Sequence, residues 1–225
     1  MSVQGRLRQF TVQVPRPLPV LLLVDVSGSM VEDGKLSSLN LALKELIAAL
    51  AEERSGSAEI QVAVIAVGGH QARLHLPLIP ARQARYEVLE ATGTTPLGSA
   101  LTLTTRILED RTLVPDRAYL PTVVLLSDGS PTDSWEEPLR TLLASPRASQ
   151  AVRLALAVGA DADLEVLHAF AGAANVRQST EARHLRRFFR YVAMNVTSRS
   201  RSASPDRTVA LPDLGHDDGF DDLDV

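Results

Sequence analysis

Cysteine is missing from all 225 residues. That absence excludes disulfides, zinc–thiolate sites, iron–sulfur clusters and cysteine nucleophiles together, and it suits a reducing compartment, so a cytoplasmic protein is expected. Aromatic residues make up only 4% of the chain. Of the 27 acidic residues, six (Asp213, Asp217, Asp218, Asp221, Asp222 and Asp224) follow Ala210, where there is no Lys or Arg, leaving 23 basic against 21 acidic residues before it. A body so close to neutral and so poor in stacking side chains lacks the surface that nucleic acids select. Long apolar runs are missing too. None exceeds six residues, and Val20 to Val24 is preceded by Pro19 and closed by Asp25, far short of the ~20 residues that span a bilayer. That run meets Asp25 where a secretory signal would place a small-residue cleavage site, so the mature chain is expected to start at its N-terminus, with no membrane partner.

What is present alternates. Leu18 to Asp25 (LPVLLLVD) is a Val- and Leu-rich run ending on a carboxylate, the pattern of a parallel strand buried on both faces. It returns at Glu59 to Val67, Pro121 to Asp128 and Val152 to Val158, each followed by Gly or polar turn residues. Leu74 to Leu78 reads as an edge strand paired antiparallel across Gly68 and Gly69. Between these lie helical segments. Leu36 to Arg54 has one apolar stripe through Leu39, Leu43, Leu46, Ile47 and Leu50. Leu97 to Leu108, Trp135 to Leu143, Leu164 to Phe170 and Glu181 to Thr197 follow, with Asp163 and Thr180 as N-caps. The economical architecture is an α/β doubly wound, mostly parallel central sheet flanked by helices on both faces, with one antiparallel edge strand. The expected organisation is an N-terminal extension over 1–16, one domain over 17–198, and a flexible acidic tail over 199–225, which is too polar to pack.

Such sheets bind ligands beyond the carboxyl ends of their strands, where the strand order reverses. One strand end there reads Asp25-Val26-Ser27-Gly28-Ser29-Met30, with a carboxylate and two hydroxyls at alternate positions of a tight turn. Gly93-Thr94-Thr95-Pro96 offers a hydroxyl just before a helix, and Ser127-Asp128-Gly129 a second carboxylate at another strand end. Oxygen-only donors select a hard cation, and Mg²⁺ tolerates hydroxyls, carboxylates and retained waters together. A blander alternative has Ser27 and Ser29 capping the next helix and Asp128 closing a turn.

These residues resemble the metal-ion-dependent adhesion site of von Willebrand factor type A domains, whose pattern is Asp-x-Ser-x-Ser, a distant Thr and a distant Asp in that order. Asp25, Ser27, Ser29, Thr95 and Asp128 fill it. The resemblance implies that Ser27, Ser29 and Thr95 contact a Mg²⁺ or Mn²⁺ ion through hydroxyls, while Asp25 and Asp128 act through bound waters. A narrower likeness, over residues 17–198, is to the TerY-type proteins of bacterial tellurite-resistance and stress-response loci. It rests on Asp128-Gly129-Ser130-Pro131-Thr132-Asp133, on the helix opening Thr95 to Leu101 and on Phe188-Phe189-Arg190-Tyr191-Val192. Relatives often have Gly-Gly-Thr before the Pro where this chain has Gly93-Thr94-Thr95, so Thr94 competes as the hydroxyl donor.

A cation held by neutral hydroxyls stays electron-poor and attracts an acidic group, and the resemblance implies a partner protein that supplies the Asp or Glu. The expected role is thus a metal-dependent protein-interaction module, not an enzyme. The partner would be joined by a kinase, phosphatase or ATPase encoded nearby; a related reading makes the chain an adaptor for a MoxR-type AAA+ ATPase. A metal-dependent hydrolase is the rival class. An aspartyl nucleophile for phosphotransfer would favour Asp two residues after Asp25, where Ser27 stands, and no GxSxG, Walker loop or HExxH occurs. His70, His75, His168, His184 and His216 lack metal-pair spacing. Asp161 and Asp163 read as helix-capping residues. Arg183, Arg186, Arg187 and Arg190 read as a solvated face opposite a packed Phe188–Phe189 pair or as a docking surface. The tail interleaves its carboxylates with Leu214, Phe220 and Leu223, which suits a solvating end, a docking motif or a ligand for a metal site.

Overall fold

The computed structural model describes residues 14–55, 57–179, 184–202 and Asp206. The Thr180 cap, Arg183 and all six tail carboxylates lie outside the described residues.

The apolar runs become the strands expected of them. β1 (Arg16–Asp25), β2 (Ala58–Val67), β4 (Thr122–Ser127) and β5 (Val152–Val158) are parallel, and β3 (Arg73–Pro80) pairs antiparallel with β2. A short strand, β6 (Val176–Ser179), adds parallel to β5, completing the order β3-β2-β1-β4-β5-β6. The sheet carries helices on both faces because its strands are apolar on both. Leu18, Val20, Leu22 and Val24 of β1 join one core with α1 (Lys35–Glu52) and α5 (His184–Arg201). Leu21 and Leu23 join the other with α2 (Leu97–Glu109), α3 (Glu136–Ala144) and α4 (Leu164–Ala171). Each of these Val and Leu side chains contributes roughly 1.5–3 kcal/mol through burial, so the central strands can hold costly polar groups at their ends.

Three details differ from expectation. β6 is too short and polar for its pattern to stand out, and it forms because β5 offers an open edge. β1 begins at Arg16, which pairs with Ala58. α5 continues past Ser198 to Arg201. Arg199 is 1% exposed; its guanidinium donates to the Thr122 hydroxyl and to the Leu120 carbonyl, both at 2.7 Å. An arginine-rich stretch that reads as linker therefore closes the helix onto β4.

Elsewhere the helix signals hold. Asp163 caps α4 by accepting from the amides of Glu165 and Val166. Phe188 and Phe189 are buried in T-shaped contact, and Arg186 faces outward to a two-bond pairing with Glu45 of α1. Among the described residues no helix is long and apolar enough to cross a membrane.

Candidate functional site

The strand order reverses between β1 and β4, and the candidate residues stand at the carboxyl ends of those two strands. Parallel register sets Val24 beside Leu126, which leaves Asp25 beside Ser127. Asp25 is fully buried; one carboxylate oxygen accepts from the Ser27 amide at 2.8 Å and the other from the Ser127 hydroxyl at 2.9 Å. Burial lifts its carboxyl above the usual range. The two hydrogen bonds pull against that, and the nearby Asp128 charge adds to it.

From there the polar groups run outward in a chain. The Ser27 and Ser29 hydroxyls lie 2.9 Å apart, and the Ser29 hydroxyl donates to Asp128 Oδ1 at 2.8 Å. Ser27 and Asp128 are buried while Ser29 is exposed, so the chain opens to solvent at Ser29. Ser27 precedes the 3-10 turn Gly28–Gly34 but makes no side-chain capping bond. Asp128 likewise spends its carboxylate across the loops and closes no local turn. The capping alternative thus does not describe these side chains.

Thr95 is buried on an adjoining loop, and its hydroxyl joins none of these hydrogen bonds. Backbone contacts hold the loop in place. The Gly28 amide donates to Gly93 O, the Thr95 amide to the Thr132 hydroxyl, and the Thr132 amide to Thr95 O. Gly93 has φ +58°, and a Cβ there would lie 2.7 Å from Gly69 Cα, so only glycine permits this approach. The exposed Thr94 turns its hydroxyl to Gly69 O at 2.7 Å, which commits the competing donor elsewhere.

Two participants escaped the sequence reading. Asp133 accepts from the amides of Gly98 and Ser99 at 2.8 and 2.9 Å, so the Thr132-Asp133 turn clamps the start of α2 and with it the Thr95 loop. Asp-x-x-x-x-Asp after a strand, together with a helix start at Leu97 that has no acidic residue of its own, was the available signal. Lys35, the first residue of α1, reaches back to Asp128 Oδ2 at 2.9 Å. A lysine in the first turn of a helix opposes the helix dipole and could have been noticed for that reason.

The donor set fits a hard divalent cation: two hydroxyls and a carboxylate oxygen lie in hydrogen-bonded succession, with a second carboxylate behind Ser27. Among the described residues no three His, Cys, Asp or Glu side chains form a metal-holding group.

Residues 20–130 match the von Willebrand factor type A domain family. A von Willebrand factor type A protein from Catenulispora acidiphila is similar in structure, with a TM-score of 0.64 and 20% identity over 80% of this chain and 42% of that one. Proximal thread matrix protein 1 of the mussel byssus, with a zinc-occupied metal-ion-dependent adhesion motif, gives 0.58 and 12% over 80% and 48%. The manganese-loaded TRAP protein of Plasmodium vivax gives 0.54 and 20% over 77% and 73%. The chain spans less than half the length of the first two. No curated protein matches the sequence. Likeness at these identities speaks for the fold, and the matched segment runs from β1 through the end of β4: the chain has the von Willebrand factor type A fold, and residues 20–130 match that family.

Proposed function

We propose that this domain is a metal-dependent protein-interaction module, acting without catalysis, in which Ser27, Ser29, Thr95, Asp25 and Asp128 hold Mg²⁺ or Mn²⁺ and the cation receives an Asp or Glu from a partner protein. The observation that carries this reading is the Ser27–Ser29–Asp128 chain opening to solvent at a strand-order reversal. A bound cation would supply a Lewis-acidic point for an incoming carboxylate. The protein's own part is positional. Ser127 and the Ser27 amide fix Asp25, Ser29 orients Asp128, and the Thr132-Asp133 turn holds Thr95 at the rim. The Ser29 hydroxyl faces a carboxylate whose other oxygen is held by Lys35, and no histidine joins this chain of hydrogen bonds, which favours binding over hydrolysis. The zinc- and manganese-bearing structural neighbours support a divalent ion at this place in the fold. The TerY-like sequence pieces support a bacterial, cytoplasmic stress-response setting, with a kinase, phosphatase or ATPase among the associated proteins.

The double substitution Ser27→Ala with Ser29→Ala tests the reading. It removes two hydroxyls from a solvent-facing loop, so stability should fall by about 1–2 kcal/mol while Mg²⁺ and Mn²⁺ binding, measured by calorimetry, is lost. Cation binding that survives both this change and Asp25→Ala overturns the assignment.

A further inference from the structure

We propose that Lys35 is a resident countercharge that makes retention of the metal depend on an acidic ligand. This rests on the metal-site reading above and adds a rule for its occupancy. The geometry is specific. Asp33, at φ +52°, and Gly34, at φ +69°, turn the chain so that Lys35 begins α1 facing back over the sheet. Its ammonium takes Asp128 Oδ2, leaving Oδ1 to the Ser29 hydroxyl. The side chains of Asp128 and Lys35 are 0% and 12% exposed, so solvent screens the pair poorly. The lysine stem passes the Gly159 turn at the end of β5, where an added Cβ would sit 3.5 Å from Nζ.

The charges then decide the behaviour. Asp25 and Asp128 against Lys35 leave the pocket one unit negative. A divalent cation arriving alone makes it one unit positive, in a place where like charges repel strongly because water is sparse. One carboxylate from outside restores neutrality. With Lys35 present, cation and acidic ligand should therefore bind cooperatively, each strengthening the other by the same factor. With Lys35 neutralised, the two Asp carboxylates balance the cation without help. The placement also runs against local preference, since a cation at the first turn of a helix is disfavoured, and such departures mark positions kept for another reason.

The test titrates the full chain with Mn²⁺ alone and with Mn²⁺ plus saturating acetate as a carboxylate probe, by calorimetry and by the Mn²⁺ paramagnetic signal. Wild type should bind Mn²⁺ weakly, and acetate should tighten it about fivefold or more. Lys35→Met should bind Mn²⁺ alone about tenfold tighter than wild type and respond little to acetate, whereas Lys35→Arg should behave as wild type. Lys35→Gln, which removes the charge but keeps a donor for Asp128, should follow Lys35→Met. If both neutral variants bind no tighter than wild type while Ser29→Ala abolishes binding, the metal site stands and Lys35 only positions Asp128. If wild type, Lys35→Met and Ser29→Ala bind alike, the metal-site reading fails and this proposal with it. Wild-type binding that is indifferent to acetate overturns the proposal with no variant needed.

Discussion

Replacing Asp25 by Asn should stabilise the metal-free protein at neutral pH and abolish its response to Mg²⁺, two effects of opposite sign from one isosteric change. Asp25 is fully buried, and burial is the chief cause that lifts its carboxyl above the ordinary 3.8, with Asp128 adding to the rise. A raised folded-state value means that Asp25 favours the fold most below the ordinary range. That contribution is lost as pH climbs through the raised value, until at pH 7 the buried charge opposes folding. An Asn keeps the packing and both hydrogen bonds. Its carbonyl accepts from the Ser27 amide, while the Ser127 hydroxyl, already 3.2 Å from Gly129 O, donates there and accepts from the new amide. Relief of a functional-site cost commonly yields about 0.5–2 kcal/mol, and for a chain of this size each kcal/mol moves Tm by about 2–4 °C. Thermal melts with EDTA, followed by circular dichroism from the acid range to pH 7, should show the Asn variant level with wild type at low pH and ahead of it at pH 7. With Mg²⁺ at 100 times its Kd, wild type should gain about 2.7 kcal/mol and overtake a variant that gains nothing. An Asn variant less stable than wild type in EDTA at pH 7, or a gap that does not change with pH, refutes the reasoning.

Further changes probe the scaffold around the site. Gly98→Ala would place a Cβ 2.1 Å from Ser134 O, so the turn that clamps Thr95 must shift; a loss of about 1–3 kcal/mol in urea unfolding, together with weakened Mn²⁺ binding, is expected. Truncation after Ser198 removes two charge-assisted bonds from Arg199, the Ser200 carbonyl that accepts from Ser55, and the Arg201–Glu53 pair. Its stability should fall about 3–6 kcal/mol below that of a chain ending at Asp206, and equal melting of the two would show that α5 ends where the composition suggests.

Much of this was legible in the sequence because the physics is local and periodic. The strand run Leu18 to Asp25 could bury both faces only in the middle of a sheet, and its terminal carboxylate had to lie at a strand end, beside the strand-order reversal. The Asp163 cap and the Leu39-to-Leu50 stripe follow the same local rules. What escaped depends on contacts distant in the chain. Lys35 and Asp128 are 93 residues apart, and Asp133 and Gly98 35 apart, so neither pairing has a local spacing to read. β6 exists through the open edge of β5, and the last turn of α5 through Arg199 reaching Thr122, 77 residues earlier.

Charge is buried at two places in the fold, and the groups that surround it differ. The Arg199 guanidinium directs its hydrogen bonds at a hydroxyl and a carbonyl of the chain segment leading into β4, so its burial fastens a helix to the sheet. Asp25 and Asp128 are arranged differently. Their donors come from the Ser27–Ser29 turn, the end of β4 and the start of α1, and a single ammonium stands against two carboxylates. A network built only to hold the loops would gain from two amides in place of the carboxylates, since unbalanced buried charge costs more than it returns without a partner. Charge kept unbalanced beside a solvent opening is the arrangement expected of a site that completes itself with a cation from outside.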